Sequence, residues 1–198
     1  MNIYYATPHV QQLPPGHRFP MGKYERLRAR LGQELPQLRL SLADPVSDGE
    51  LALVHTPAYI EAVVSGSLSA AQQREIGFPW TPGMVERARR SSGATVMAAR
   101  SAMREGLAAN LAGGTHHAYP DKGSGFCVFN DAAVCARLMQ AEWLRAHRNP
   151  LRVAIIDLDV HQGNGTARIF QGDTSVFTPV PARGQKFPLS QRGRRFGR

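Results

Sequence analysis

The chain has 198 residues, of which 42% are hydrophobic, and this is enough for a single domain with a substantial core. No apolar run approaches the roughly 18 residues needed to cross a membrane, and the first residues lack the pattern of a signal peptide, so we expect a cytoplasmic protein with no membrane partner. Cys127 and Cys135 are too few for a disulfide framework and lack paired zinc spacing.

The net charge of +9 is concentrated at one end of the chain. Residues 181–198 contain six arginine or lysine residues and no acidic residue, so the first 180 residues carry only +3. Such a tail can contact nucleic acid nonspecifically, but a short disordered end without a binding role is the favoured interpretation. We therefore expect one folded domain over 1–180 and a basic Gly/Arg-rich tail over 181–198.

The first half of the chain predicts a strand over 2–6, a helix over 24–35, a strand over 51–55 and a helix that begins at Pro57. The most regular pattern runs from Pro82 to Gly106, where apolar or small residues recur at three- and four-residue steps and predict a helix with one buried face. The expected buried residues of this helix are Val85, Ala88, Ser92, Val96, Ala99 and Met103.

The second half predicts a buried strand within 106–114, followed by a loop. A helix capped by Asn130 or Asp131 then continues to about His147. The residues of this helix available for burial are Ala133, Val134, Leu138 and Leu144. Residues 151–160 predict a continuous apolar strand, covered on both faces as in a parallel sheet. The loop HQGNGT, a helix into Phe170 and a strand within 174–180 follow. Strands that alternate with helices indicate an α/β domain with a parallel sheet.

Three ligand-type side chains, Asp157, Asp159 and His161, stand at two-residue spacing at the end of the strand predicted over 151–160. On a strand all three point to one face, where they need a cation or a hydrogen-bond network. One carboxylate and one imidazole can hold Zn²⁺ while the second carboxylate orients a neighbour. For a single residue, a loop cap, a solvated carboxylate or a packed imidazole is the better interpretation, but three aligned residues favour a metal site.

His116 and His117 follow the other buried strand. Ligands of open α/β sheets bind outside the carboxyl ends of the strands, so both clusters are expected at that edge. Adjacent histidines can bind metal, or they can transfer protons near a metal-bound water. Alone they are more often residues of a polar loop, but beside a metal cluster the catalytic interpretation is favoured.

The segments GGTHHAYPDKGSGFCVFND and IIDLDVHQGNGT resemble the zinc-dependent histone deacetylase family, and LPPGHRFPMGKY and LVHTPAYIEAVVSG resemble its bacterial and class IV members. The resemblance spans about residues 1–176. It implies the arginase/deacetylase fold, a three-layer α/β/α domain with a central parallel sheet. It also implies hydrolysis of an acetyl-lysine or a small acetylated amine to acetate and a free amine.

In this resemblance Asp159 and His161 match two of the family's three zinc ligands, with Fe²⁺ as an alternative metal. His117 matches the general base and then acid, and His116 its electrostatic partner. Asp157 matches the residue that orients His116 and helps to bind a structural K⁺.

Asn164 stands where the family often has a second aspartate behind the other histidine. Gly125 and Phe126 match the wall of the channel that takes the acyl-amine chain, and Arg18 resembles an arginine of the internal cavity. The resemblance leaves the actual substrate and the oligomeric state open.

The family's third zinc ligand and its Gly-Gly-Tyr segment lie downstream of these motifs, and residues 178–198 contain neither an acidic residue nor a tyrosine. We therefore expect the first two thirds of a deacetylase domain, incomplete at its C-terminal end, with weak or no activity. One explanation is that the basic tail is the product of a frameshift. The alternative function is a non-catalytic remnant that binds acetyl-amines or nucleic acid.

Overall fold

The structure is a computed structural model, and it describes residues 1–7 and 13–179. The tail predicted over 181–198 lies outside the described residues. The strands are β1 (Asn2–Tyr5), β2 (Arg39–Leu42), β3 (Ala108–Asn110), β4 (Val153–Ala154) and β5 (Val176–Phe177). The helices are α1 (Lys23–Glu34), α2 (Asp48–Leu51), α3 (Pro57–Ser65), α4 (Ala70–Ile76), α5 (Pro82–Glu105), α6 (Asp131–His147) and α7 (Asn164–Ile169).

All strand pairs of the described residues are parallel, as the alternation of strands and helices predicts. One sheet has the order β2-β1-β3, in which Ile3 is in register with Leu40 on one side and Ala109 on the other. A second sheet pairs β4 with β5. The ends of β3 and β4 lead into the two polar segments, so each motif follows the carboxyl end of a parallel strand, one in each sheet.

Helix α5 is the longest helix, and its limits follow from local chemistry. The Thr81 side chain accepts a hydrogen bond from the Met84 backbone N–H, Pro82 occupies the first turn, and Gly106 ends the helix with a φ of 82°. The helix packs against β1, β3 and α6. Gly93 lies at a close crossing, because a Cβ there would overlap the Asp44 carbonyl.

Most of the predicted buried face of α5 is buried, but Met103 is 49% exposed. It stands two positions after the fully buried Ser101, about 200° around the helix. In α6, Leu144 is likewise 52% exposed, because it lies five positions after the buried Met139 and off the buried face. Both residues were expected to be buried, and both predictions are wrong.

The main hydrophobic core lies between α3, α4, α5, α6 and the segment 126–129. Phe129 and Ile76 are almost fully buried there, and the Tyr59 hydroxyl donates to the Val128 carbonyl at 2.8 Å. This packing fixes the segment that precedes α6, and with it one wall of the site described below.

The strand predicted over 51–55 is wrong. The Ser47 side chain accepts from the Glu50 N–H, and the Glu50 carboxylate accepts from the Ser47 N–H, so this capping box begins α2 instead. A second capping box at Ser69 and Gln72 begins α4, which the sequence analysis missed along with β2.

The strand predicted over 151–160 is correct only at β4, and the expectation that it is covered on both faces is wrong. Ile156 is 61% exposed, and Leu158 and Val160 are 91% and 92% exposed. The only ladder of β4 within the described residues is that with β5, so no neighbouring strand there extends the pairing or covers the apolar side chains. No helix of the described residues is long and apolar enough to span a membrane.

Candidate active site

The loop that carries the two histidines is held by a buried carboxylate at the start of α6. Asp131 is 2% exposed and accepts hydrogen bonds from the Thr115 N–H at 2.8 Å, the Gly114 N–H at 3.2 Å and the Thr95 hydroxyl at 2.6 Å. The Asp131 N–H in turn donates to the Thr115 hydroxyl at 3.0 Å. Because the carboxylate bonds two successive N–H groups, it fixes the backbone immediately before His116.

A second buried polar group, His55, supports the other end of this loop. The Asn130 N–H donates to His55 Nε2 at 3.0 Å, so Nδ1 carries the proton and donates to the Tyr119 carbonyl at 2.9 Å. Burial lowers the pKa of His55 to about 4, so the ring stays neutral near pH 7. The Asn130 side chain caps α6 and also donates to the Ala118 carbonyl and the Thr166 hydroxyl.

His116 is backed by a carboxylate. Its Nδ1 donates to Asp157 Oδ2 at 2.6 Å, and Asp157 Oδ1 accepts from the Asp159 N–H at 3.0 Å. The structure therefore brings the two sequence motifs into direct contact through this pair, and the Nε2 atom of His116 is left available.

His117 is backed by an amide. Its Nδ1 lies 2.8 Å from Asn164 Oδ1, and the Gly165 N–H donates to the same oxygen at 3.0 Å. Since a backbone N–H can only donate, this atom is the amide oxygen, and His117 Nδ1 must carry the proton. Nε2 of His117 is then an unprotonated acceptor. The two histidine ring centroids are 4.2 Å apart.

Two glycines allow α7 to approach the histidine loop. A Cβ on Gly163 would lie 2.5 Å from Asp157 Oδ2, and a Cβ on Gly165 would overlap the Ala118 carbonyl and lie 2.7 Å from the His116 oxygen. The Thr166 N–H donates to the His116 carbonyl at 3.1 Å across this contact. Small residues at 163 and 165 are thus needed for the close approach that places Asn164 behind His117.

Asp159 and His161 lie at the rim, with side chains that are 51% and 74% exposed. Asp159 Oδ1 accepts from the His161 N–H at 2.7 Å and from its Nδ1 at 3.0 Å. The backbone hydrogen bond from His161 is the main reason why the pKa of Asp159 is lowered. Asp157, Asp159 and His161 do not share the face of a strand, because the backbone leaves the sheet at Ile155.

The donor types of this pair suit Zn²⁺, which binds histidine nitrogen and carboxylate oxygen, but the number of donors does not. A catalytic zinc site takes three protein ligands, and within residues 1–7 and 13–179 no group of three metal-binding side chains is assembled. Among the described residues, Asp159 and His161 therefore supply donor types that suit zinc, but too few of them for a catalytic zinc site.

A cavity of about 480 Å³ connects the two clusters. It is lined by His116, His117, Asp159 and His161 together with Gly125 and Phe126. Phe126 has a φ of 67°, an uncommon conformation for this residue, which its N–H bond to the Ile76 carbonyl at 2.7 Å helps to maintain.

The expectation for Arg18 is corrected, because Arg18 is exposed and the arginine that lines the cavity is Arg87 of α5. The sequence analysis missed Arg87 as well as His55 and the role of Asp131 in the loop. The S-x-x-E pattern near residue 47 and the N-D pair at 130 were readable signals of caps, but no local signal distinguishes a buried Arg87 from its solvated neighbours.

The chain is thus a domain of α/β topology with parallel strands, in which two histidines with side-chain partners and an Asp-x-Asp-x-His segment line one cavity. The histone deacetylase domain model matches residues 17–195, and the chain belongs to the histone deacetylase family. The chain is 43% identical over 178 residues to an uncharacterized protein of Picosynechococcus sp., covering 89% of this chain and 58% of that protein.

Two relatives with assigned names are also similar. The acetoin utilization protein AcuC of Bacillus subtilis is 38% identical over 142 residues, which are 67% of this chain and 35% of AcuC. A histone deacetylase-like amidohydrolase of Pseudomonas aeruginosa is 34% identical over 185 residues, which are 83% of this chain and 46% of that protein. The chain thus spans about half the length of the curated relatives it matches.

Solved structures show the same fold. The HDA15 HD domain superposes with a TM-score of 0.70 at 22% identity, over 89% of this chain and 51% of that one. An HDAC homologue complexed with SAHA superposes with a TM-score of 0.66 at 24% identity, over 89% of this chain and 49% of that one. The expected deacetylase fold and family are confirmed.

Proposed function

We propose that the chain carries the proton-transfer half of a zinc-dependent deacetylase that hydrolyses an acetyl-lysine or a small acetylated amine. The observation that carries this proposal is the unequal backing of the two histidines, His116 by the Asp157 carboxylate and His117 by the Asn164 amide, at a cavity that Asp159 and His161 also line. Similarity to a histone deacetylase-like amidohydrolase supports the reaction class.

In this proposal His117 is the general base. Its Nδ1–H is held by Asn164, so Nε2 accepts a proton from the attacking water and then returns it to the leaving amine nitrogen. The Asn164 amide keeps the ring in this tautomer without adding a negative charge. The second histidine, His116, is oriented by Asp157 and supplies positive charge beside the oxyanion when it is doubly protonated.

Asp159 and His161 are the proposed metal ligands, with Fe²⁺ as an alternative to Zn²⁺, and Asp157 is also the proposed contact of a structural K⁺. A zinc ion held by these residues, together with a further ligand, would supply a Lewis acid for the amide carbonyl. Gly125 and Phe126 are the proposed channel wall, because both line the cavity and the Phe126 ring packs 5.1 Å from that of Phe19.

The test uses the purified full chain with and without Zn²⁺, calorimetry for metal binding, and a fluorogenic acetyl-lysine peptide for turnover. We expect His117→Ala to abolish turnover and retain zinc, and Asp159→Ala or His161→Ala to lose both. His147→Ala, at an exposed histidine stacked on Trp143, is the matched control and should retain both. Turnover that survives His117→Ala contradicts the proposal.

The presence of only two metal ligands at the site, among the residues described, favours a second candidate function, which is binding of acetyl-amines without hydrolysis. In that case the acetyl-lysine peptide binds the full chain and His117→Ala leaves its affinity intact, while no acetate is released at any zinc concentration. Release of acetate that depends on His117 excludes this candidate.

A further inference from the structure

Arg87 is a buried cation at the same cavity, and the proposed deacetylation does not use it. Only 9% of the residue is exposed, and its guanidinium carbon lies 5.1 Å, 5.6 Å and 5.7 Å from the ring centroids of Tyr24, Phe78 and Phe19. Arg87 lines the cavity of about 480 Å³ together with both histidines. The aromatic rings hold the guanidinium in place but can accept few of its five N–H donors.

No acidic side chain in the part of the chain that the structure describes is paired with Arg87. Its neighbours on α5 are paired, Arg89 with Asp48, Arg90 with Glu86 and Arg100 with Glu142, but no acidic side chain of the described residues forms an ion pair with Arg87. Residues 8–12 and 180–198 contain no aspartate or glutamate, so they cannot supply one. Burial lowers the pKa of Arg87, and a hydrogen bond to the Tyr24 side chain opposes this effect only in part.

A second cation stands at the same end of the cavity. Lys23 Nζ lies 4.9 Å from the Phe19 ring centroid and 5.1 Å from that of Tyr24, the rings that also contact Arg87. The acidic side chain among the cavity-lining residues is Asp159, on the side of the histidines. The lining of the cavity therefore combines two cations packed on aromatic rings with the proton-transfer groups.

We propose that Arg87 and Lys23 form a carboxylate subsite that recognises the far end of the acyl group, so that the preferred substrates are amines acylated by a dicarboxylic acid, such as succinyl or glutaryl amides. This inference rests on the proposed function. A guanidinium binds a carboxylate with two parallel hydrogen bonds, and a desolvated cation without a counter-charge gains most from such a ligand. The rings of Phe19 and Tyr24 face the methylene groups of the chain.

The reaction itself is unchanged. Water adds its hydroxyl to the acyl carbon and a proton to the amine nitrogen, the C–N bond breaks, and the products are a dicarboxylate and a free amine. The subsite contributes only binding, through the carboxylate that is present before and after hydrolysis.

The test compares binding of two lysine peptides to the full chain by fluorescence anisotropy, one succinylated and one carrying the neutral succinamyl group of the same length. We expect the succinyl peptide to bind about tenfold or more tightly, because one carboxylate contact to the guanidinium is lost in the amide. In Arg87→Met the ratio of affinities should fall to near one, and in Arg87→Lys it should be intermediate.

Arg104→Met, at an exposed arginine of the same helix, is the control and should keep the wild-type ratio. Equal affinities of the two peptides for the wild-type chain overturn the inference. A preference for the succinyl peptide that persists in Arg87→Met also overturns it. The wild-type comparison does not depend on whether the variants fold. Because binding needs neither metal nor turnover, the outcome is separate from the test of the proposed function. Hydrolysis of acetyl-lysine without a succinyl preference would leave that function standing and reject this subsite.

Discussion

The Asn164 side-chain oxygen lies 2.8 Å from His117 Nδ1 and also accepts the Gly165 N–H, so one neutral amide fixes both the orientation and the tautomer of the proposed base. The neighbouring histidine is held by a carboxylate instead, since His116 Nδ1 lies 2.6 Å from Asp157. Two adjacent rings with 4.2 Å between their centroids therefore have chemically different supports. In the proposed function, this difference separates a base that accepts and then returns a proton from a residue that supplies charge.

Replacing Asn164 with leucine should allow the neutral His117 ring to change from the Nδ1–H to the Nε2–H tautomer. The variant keeps the size of the side chain but removes the acceptor that the described residues offer to His117 Nδ1, so the Nε2–H form should become the major neutral species, as it is in free histidine. Nitrogen-15 NMR of the imidazole ring measures this directly. Asn149→Leu, at an exposed asparagine bonded to Trp143, should leave the His117 signals unchanged. An unaltered Nδ1–H signal in Asn164→Leu shows that another group fixes the tautomer.

Asp131→Ala should loosen the histidine loop and destabilise the chain. Two backbone N–H groups and the Thr95 hydroxyl lose their acceptor in a buried place, and we expect a loss of about 2–4 kcal/mol in the free energy of unfolding. Hydrogen exchange at Gly114 and Thr115 should accelerate beyond the global change. Asp121→Ala, at an exposed aspartate, should alter stability by about 0.5 kcal/mol or less. Equal losses of stability in both variants would contradict the role of Asp131 in holding the histidine loop.

The parallel α/β topology was predictable from the alternation of strands and helices. The meeting of the two motifs was predictable because each follows the carboxyl end of a parallel strand, although these strands belong to two sheets among the described residues. The partners of His116 and His117 were predictable only through the resemblance to the family. Arg87 could not be predicted, since the segment ERARRSS reads as a solvated helix face, and its burial depends on rings of residues 19, 24 and 78 from distant elements.

Leu158 and Val160 were expected to be buried, but both are exposed. An apolar run predicts burial only if neighbouring strands cover it, and β4 has a single partner of two residues among the strands described. The strand ends at Ala154, so the expected alternation of side chains on two strand faces does not extend to residues 156–160.

Gly165→Ala should separate α7 from the histidine loop. The added Cβ meets the carbonyls of Ala118 and His116, which are backbone atoms and cannot rotate away, so the Thr166 hydrogen bond to His116 must lengthen or break. We expect a loss of about 1–3 kcal/mol in the free energy of unfolding by urea denaturation. Gly22→Ala provides the control, because nothing lies within 4 Å of the added Cβ and its φ is −64°. Similar stability of the two variants contradicts the close packing described for residue 165.

His55 should make the stability of the chain depend on pH. Its native pKa of about 4 lies below the ordinary value of 6.5, so between these values the unfolded chain binds a proton that the native chain does not. The free energy of unfolding therefore rises with pH from about 4 to 6.5, by an amount on the order of 3 kcal/mol, and the contribution is constant above that range.

His55→Gln retains a donor for the Tyr119 carbonyl and an acceptor for the Asn130 N–H, yet it cannot titrate. Urea denaturation at several pH values should show a shallower slope for this variant, whereas His147→Gln, at an exposed histidine, should keep the wild-type slope. If His55→Gln and the wild-type chain have the same slope, another group causes the pH dependence.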